Sequence, residues 1–237
     1  MADFKYAGSE LDLFAAVHNW KTYWSNRIHP YVTGDVLEVG AGIGSNTPYL
    51  DSGDNGRWIC LEPVAGLVSQ LTTNLVRSGN KRTYETITGT LQDLDSNLRF
   101  DTILYIDVLE HIEDDRAELA NAASRLEVGG RIIVLSPAHQ GLFTPFDAAI
   151  GHFRRYNRQM LRRISPSDLP LDRLFYLDSA GLALSGANLL LLRQSMPTTS
   201  QLRVWDKFVI PISRVLDRFL FNSVGKSIVG VWQRRAE

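Results

Sequence analysis

The chain of 237 residues and 26.6 kDa has 44% hydrophobic and 22% charged residues, which excludes the disordered, collagen-like and disulfide-scaffold classes. This length predicts one domain with a full hydrophobic core. Its 25 Lys and Arg against 26 Asp and Glu give a net charge of −1, so we expect no nucleic-acid partner.

The composition and the chain ends also predict where the protein works. A single cysteine, Cys60, excludes an intrachain disulfide and a cysteine-based zinc site, and no metal site is predicted. The N-terminal residues mix charged and apolar side chains, unlike a signal peptide. The longest uncharged apolar run, residues 179–192, is shorter than the ~20 residues of a membrane-spanning helix. We therefore expect a cytoplasmic protein without a transmembrane segment.

Short β-type runs alternate with longer helical stretches, which is the pattern of a parallel α/β sheet. Each predicted strand is a nearly continuous apolar run, as in a sheet buried on both faces. The elements predicted up to Pro137 are a helix over 12–31, strands over 35–39 and 57–61, a helix over 63–78, strands over 84–87 and 100–106, a helix over 108–126, and a strand over 131–135.

After Pro137 the pattern loosens into a long loop over 138–156. A short helix over 157–164 and strands over 174–177 and 227–233 follow, with two helical stretches, 182–193 and 204–221, inserted before the last strand. The predicted fold class is a doubly wound, seven-stranded, mostly parallel α/β sheet with a helical insertion. We expect one domain: a lid helix within 1–34, a core over 35–137, a loop and insertion over 138–226, and the last strand over 227–233.

A glycine-rich turn follows the first strand, with Gly40, Gly42 and Gly44 in the sequence EVGAGIG. Glycines at this point let the backbone approach a ligand at the carboxyl edge of the sheet. The dinucleotide fingerprint G-x-G-x-x-G requires its third glycine one residue later, where Ser45 stands. Glu38, two residues before the first glycine, suits a ligand that carries an ammonium or sulfonium group.

Glu62 ends the second strand, about 20 residues beyond the glycine turn, where an acidic residue typically accepts hydrogen bonds from ribose hydroxyls. The alternative is an ordinary acidic residue at the start of a helix. In combination with the glycine turn, the ribose interpretation is favoured.

Four stretches in this order resemble the class I S-adenosylmethionine (SAM)-dependent methyltransferases: VLEVGAGIGSN at 36–46, CLEP at 60–63, FDTILYIDVLEHI at 100–112 and GGRIIVLSP at 129–137. The resemblance covers about half the chain. It implies a Rossmann-like fold and a SAM cofactor, with the methionine part at the glycine turn and the ribose at Glu62. The turn at 89–91 would flank the adenine, with Gln92 or Asp93 as alternatives. The implied cofactor-binding residues are Tyr23, Glu38, Gly40, Gly42, Gly44, Asn46, Glu62, Pro63, Thr90, Leu91, Ile106 and Asp107.

Methyl transfer mainly requires that the acceptor is positioned and water excluded, with a base only where the acceptor must lose a proton. Asp107 and His111 follow the fourth strand, and on a helix that starts there they would share one face. His111 is a candidate catalytic base because its ordinary pKa is near neutrality. Alternatively, Asp107 caps the helix and His111 only packs.

A second cluster, DAAIGHFRRY at 147–156, resembles a bacterial branch of these enzymes with a Gly-His-x-Arg-Arg-Tyr signature. His152 and Tyr156 are predicted to be catalytic. Arginines suit an anionic or planar acceptor, and the predicted substrate-binding residues are His139, Asp147, Arg154 and Arg155. The alternative is a structural loop held by salt bridges.

The inserted helices are expected to roof an apolar acceptor pocket. Contact with a membrane surface or a homodimer partner is the alternative, less favoured because Asp206 and Asp217 dilute the basic residues of 204–221. The predicted function is SAM-dependent methyl transfer to O, N or C of a small molecule. An NAD-dependent oxidoreductase and a non-catalytic methyltransferase-like scaffold remain as alternatives.

Overall fold

The computed structural model describes residues 10–53, 56–80, 82–187 and 198–235, and its centre is a single sheet in the order β3-β2-β1-β4-β5-β7-β6. All neighbouring strands are parallel except β7, which is antiparallel to β5 and β6. The predicted seven-stranded, mostly parallel sheet is thus confirmed. The strands are β1 Val36–Val39, β2 Trp58–Glu62, β3 Glu85–Thr88, β4 Phe100–Ile106, β5 Leu126–Pro137, β6 Leu171–Leu177 and β7 Ser227–Gln233.

Ten α-helices lie in the described part of the chain. They are α1 Glu10–Ala15, α2 His18–Ile28, α3 Thr47–Leu50, α4 Ala65–Arg77, α5 Asp115–Ser124, α6 Pro145–Ala149, α7 Arg158–Ile164, α8 Ser179–Ala187, α9 Thr199–Val204 and α10 Ile210–Phe219. A π-helical turn, Trp205–Val209, joins α9 to α10. The inserted helix predicted over 182–193 corresponds to α8, and its part beyond Ala187 lies outside the described residues.

Two apolar layers cover the two faces of the sheet, as the alternation of side chains along β1 shows. Leu37 and Val39 belong to one buried cluster and Val36 to the other. Successive residues of a strand point to opposite faces, so Glu38 lies on the face of Val36.

The predicted helix over 12–31 is two helices, α1 and α2, and a distant side chain caps the second. The first backbone N–H groups of a helix have no partner within it, and a carboxylate there is favoured by the helix dipole. Asp206 accepts hydrogen bonds from the backbone N–H groups of His18, Asn19 and Trp20, at 3.1, 3.2 and 2.9 Å. The insertion therefore fixes where α2 begins.

The helix predicted over 108–126 begins only at Asp115, with the Asp114 carboxylate accepting the Ala117 N–H as the cap. Before it, Asp107 has a left-handed φ of 54° and Leu109–His111 form a 3-10 turn. Asp107 and His111 therefore do not share a helix face, which corrects the prediction.

Two further aspartates hold the insertion together inside the protein. Asp217 is fully buried and accepts hydrogen bonds from the Tyr23 hydroxyl and from the backbone N–H groups of Asp178 and Ser179. The Asp178 carboxylate accepts hydrogen bonds from Ser213, Trp205 and Gly181. Asp206 and Asp217 are buried. They therefore do not reduce the positive charge on the outer face of the insertion, as the sequence suggested they would.

Candidate active site

A cavity of about 950 Å³ lies at the carboxyl edge of the sheet. Its floor is the glycine turn after β1 together with Ile106 and Asp107 at the end of β4. Residues of α1, α2, α8 and α9 and of the segment around α6 complete its walls and roof. The cavity thus brings together the glycine turn, the segment after β4 and part of the 147–156 cluster.

The glycine turn has a backbone that only glycine adopts without strain. Gly40 and Gly42 have φ values of 66° and 57°, and both line the cavity beside Asn46. A Cβ atom at Gly40 would lie 2.7 Å from the Val108 side chain, whereas one at Gly42 would face Leu11 of α1 at 3.5 Å. Gly44 does not line the cavity, since a Cβ there would meet Leu71 at 2.7 Å, so it serves close packing.

Glu62 stabilises the glycine turn by a hydrogen bond to its backbone. Its carboxylate accepts hydrogen bonds from the N–H groups of Gly42 and Val64, both at 2.9 Å, and burial raises its pKa. Glu62, Pro63 and Thr90 do not line the cavity, and Leu91 is buried in the core. Their predicted ribose and adenine contacts stay predictions.

Glu38 lies beneath the floor and does not reach the cavity. Its carboxylate accepts hydrogen bonds from Trp58 Nε1 at 3.3 Å and Cys60 Sγ at 3.8 Å, and burial raises its pKa to about 7. This corrects the expectation that Glu38 pairs with a cationic ligand. The reason is that Trp58 and Cys60, both on β2, hold its carboxylate within the protein.

Lys21, and not Tyr23, is the polar residue of α2 that lines the cavity. Residues two apart on a helix point about 200° apart, and the Tyr23 hydroxyl accordingly donates to Asp217 at 2.7 Å. Lys21 Nζ donates to the Ser45 carbonyl at 2.9 Å and lines the cavity, and burial lowers its pKa to about 8. Sequence reasoning missed Lys21, although the helical period separates it from Tyr23.

Asp107, His111 and His152 meet at the end of the cavity beyond β4. The Asp107 side chain is accessible from the cavity, but protein surrounds the cavity on most sides. This burial disfavours the charged carboxylate and raises the pKa of Asp107 to about 6. The rings of His111 and His152 pack edge to face with centroids 4.4 Å apart. Burial lowers the pKa of His111 to about 4, so its ring is neutral at physiological pH.

Asp147 and Arg155 hold His152 in place. Asp147 Oδ1 accepts hydrogen bonds from His152 Nδ1 at 3.1 Å and Arg155 Nε at 2.9 Å, and Arg155 Nη2 donates to Oδ2 at 2.9 Å. Burial acts to raise the pKa of Asp147, but these hydrogen bonds outweigh it and hold the pKa well below its usual range. Both residues line the cavity, and the charge of Arg155 is neutralised by Asp147. Their predicted contacts with a substrate stay predictions.

Three residues predicted for this site lie outside the cavity. Tyr156 is fully buried, and its hydroxyl donates to Asp115 at 2.7 Å. Arg154 pairs with the same carboxylate at 2.6 Å. His139 stacks on Tyr176 and its Nε2 bonds to the Gly225 carbonyl. Their placement corrects the catalytic prediction for Tyr156 and the substrate-binding predictions for Arg154 and His139.

Two charged residues that the sequence did not single out also line the cavity. Glu110 is fully buried, with its Oε2 accepting from the Ser136 hydroxyl at 2.9 Å. Lys226 lies just before β7, with its Nζ 5.2 Å from the centre of the Trp205 ring. Of the two, only Glu110 could have been recognised from the sequence, because it is an acidic residue within the apolar run that follows β4.

Residues 37–132, from β1 into β5, match the family model described as "Methyltransferase domain". This part of the chain is therefore similar to a methyltransferase domain. No curated protein matches the chain.

Solved structures of methyltransferases share the fold. Geranyl diphosphate methyltransferase in complex with SAM has a TM-score of 0.64 at 13% identity, covering 98% of this chain and 93% of that one. The N-methyltransferase NodS from Bradyrhizobium japonicum has a TM-score of 0.57 at 12% identity, covering 92% and 96%. A SAM-dependent methyltransferase from Clostridium acetobutylicum has a TM-score of 0.58 at 12% identity, covering 94% and 95%. These likenesses show the Rossmann-like methyltransferase fold.

Proposed function

We propose that this protein transfers the methyl group of SAM to a nucleophilic atom of an amphiphilic small molecule, and that it works at an anionic membrane surface. The observation that carries the proposal is the single cavity from the glycine turn to the His111–His152 pair. SAM supplies the activated methyl group. The protein then has to hold donor and acceptor in line and exclude water.

The cavity residues fit the polar groups of SAM. The Gly40–Gly42 backbone lets a ligand approach closely. Lys21 offers a cation to the carboxylate of the methionine part, and Asp107 offers an anion to its amino group. Both side chains line the cavity near the glycine turn, so the donor would lie with its methyl group toward the histidines.

The other walls fit an acceptor with an apolar part. Phe14, Trp20, Leu184, Leu202 and Trp205 line the cavity on the side of α1, α2 and the insertion. Lys226 forms no ion pair among the described residues, so its charge suits an anionic group of the acceptor. Geranyl diphosphate, the substrate class in the name of one structural neighbour, combines these two features.

Calorimetric titration with S-adenosylhomocysteine, with NAD in parallel, tests the cofactor assignment. We expect micromolar affinity for S-adenosylhomocysteine and none for NAD. Binding of NAD alone would favour the oxidoreductase alternative, and binding of neither would favour a non-catalytic scaffold.

The membrane part of the proposal rests on the outer face of the insertion. An exposed apolar stripe recurs every three or four residues, as on one side of a helix, and we call it the α9–α10 face. It consists of Val204, Phe208, Ile212, Val215 and Phe219. Phe219 is 77% exposed. Val204 also lines the cavity, so the face adjoins the proposed acceptor pocket.

The exposed charged residues of the segment that carries this face are all positive. The exposed charged residues of 199–219 are Arg203, Lys207, Arg214 and Arg218, whereas both aspartates of this segment are buried. An apolar stripe flanked by cations is the pattern of a helix that lies in the surface of an anionic bilayer. Of the helices that the structure describes, none has the length and hydropathy to cross one.

Co-sedimentation with vesicles tests this contact. We expect binding to phosphatidylglycerol vesicles that weakens with salt, and little binding to phosphatidylcholine vesicles. Phe219→Glu should reduce the partition coefficient about tenfold, because it removes one buried aromatic side chain from the contact. Val76→Glu, at another exposed apolar residue (79% exposed), should not.

Equal sedimentation of both variants would contradict the membrane assignment. Loss of a dimer in Phe219→Glu, seen by light scattering without any lipid binding, would assign the face to self-association.

A further inference from the structure

Glu110, His111 and His152 form a cluster of metal-ligating atoms at the far end of the cavity. One ligand atom from each residue lies within 4.8 Å of the other two. Glu110 Oε1 is 3.9 Å from His152 Nε2. Two ligand atoms that each lie about 2.0–2.2 Å from one ion are roughly 3–4 Å apart. Shifts of about 1 Å in these side chains would therefore let all three bind the same ion. All three residues line the cavity.

Glu110 has an oxygen without a partner. Its side chain is fully buried, and among the described residues no donor lies within hydrogen-bonding distance of Oε1. A buried polar atom without a hydrogen bond is costly and rare in native proteins. A bound cation would satisfy the free oxygen.

His152 is oriented as a metal-ligating histidine usually is. A ligating histidine almost always donates its other ring N–H to a carboxylate or a backbone carbonyl. Asp147 occupies Nδ1 of His152, which leaves Nε2 toward Glu110. His111 Nδ1 lies beside Gly151. Asp147 is itself held by Arg155 and by the Thr144 N–H and hydroxyl, so the supporting set is rigid.

We propose that Glu110, His111 and His152 bind one divalent transition-metal ion whose open coordination positions face the cavity. Two imidazoles and one carboxylate suit Zn²⁺, Mn²⁺ or Fe²⁺ better than Mg²⁺ or Ca²⁺. The inference rests on the proposed function for its role: the ion binds the acceptor oxygen next to the donor methyl and lowers the pKa of the acceptor hydroxyl. The proton leaves to solvent, and the oxygen attacks the methyl carbon as the carbon–sulfur bond breaks.

Calorimetric titration of chelator-treated protein with MnCl₂ and with ZnCl₂ tests the site without any acceptor. We expect one ion per chain. Glu110→Gln should weaken the affinity at least about tenfold, while its amide oxygen still accepts from Ser136. His111→Gln should weaken the affinity similarly. The matched controls are Glu113→Gln and His18→Gln, which change exposed residues outside the cavity.

S-adenosylhomocysteine affinity, measured on the same samples, separates this inference from the proposed function. If the wild-type protein binds S-adenosylhomocysteine and neither metal, the metal site is wrong and the function stands. Metal affinity unchanged in both cluster variants would also overturn the site. Metal binding that needs Glu110 and His111, without S-adenosylhomocysteine binding, would support the site and contradict the function.

Discussion

The Gly42→Val variant is expected to bind S-adenosylhomocysteine at least about 100-fold more weakly than the wild type, equivalent to roughly 3 kcal/mol. Gly42 has a φ of 57°, which a β-branched residue adopts only at a substantial cost. Its side chain would stand between the turn and Leu11, where the backbone has to approach the ligand. Calorimetry at constant pH and salt measures the change.

Gly53→Val is the matched control. Gly53 also has a positive φ, 86°, but among the described residues no atom lies within 4 Å of a Cβ placed there. The control therefore carries the backbone penalty without any contact to the cavity. Wild-type affinity in Gly42→Val would show that the ligand does not approach the turn. An equal loss in Gly53→Val would trace the effect to overall stability.

The sheet could be predicted from the sequence because its signals are local. Buried strands are continuous apolar runs, and β4 and β7 begin and end where the sequence predicts. The error over 108–126 arose where the helical pattern of the sequence competes with a turn. Asp107 adopts a left-handed backbone, and Asp114 supplies the cap that starts α5. Asp114 could have been recognised as a capping residue.

The location of the site was also predictable, but the direction of individual side chains was less so. A glycine turn after β1 and polar residues after β4 must lie at one edge of a parallel sheet. Hydrogen bonds from Trp58 and Cys60 hold the Glu38 carboxylate away from the cavity. On α2 the helical period points Lys21, and not Tyr23, toward the cavity. Tyr156 lies in the core, where its hydroxyl donates a hydrogen bond to Asp115, 41 residues away in the chain. Such long-range partners leave no periodic signal.

The contacts between α2 and the insertion were beyond sequence reasoning for the same reason. Asp206 caps α2 at Trp20, 186 positions away in the chain. Asp217 accepts a hydrogen bond from the Tyr23 hydroxyl, 194 positions away. Acidic residues on an amphipathic segment are ordinarily solvated, so their sequence suggested an outward position. Their burial both fixes α2 above the cavity and leaves the α9–α10 face without negative charge.

Asp217→Ala is expected to reduce the free energy of unfolding by about 3–5 kcal/mol. The Asp217 carboxylate accepts hydrogen bonds at 2.7 Å from the Tyr23 hydroxyl and from the N–H of Asp178, and at 2.9 Å from the N–H of Ser179. Alanine would leave these three donors without that partner in the protein interior, and each costs about 1–3 kcal/mol if it stays unpaired. Urea unfolding followed by tryptophan fluorescence measures the change.

Asp168→Ala, at an exposed aspartate, is the control and should change the free energy of unfolding by less than about 0.5 kcal/mol. A loss below about 1 kcal/mol in Asp217→Ala would mean that water replaces the carboxylate, so the insertion would not hold α2 through this residue. If the expected loss occurs, Lys21 should also shift, because it lies on α2, the helix that Asp217 holds through Tyr23. S-adenosylhomocysteine affinity should then fall in Asp217→Ala even at temperatures where the variant is fully folded.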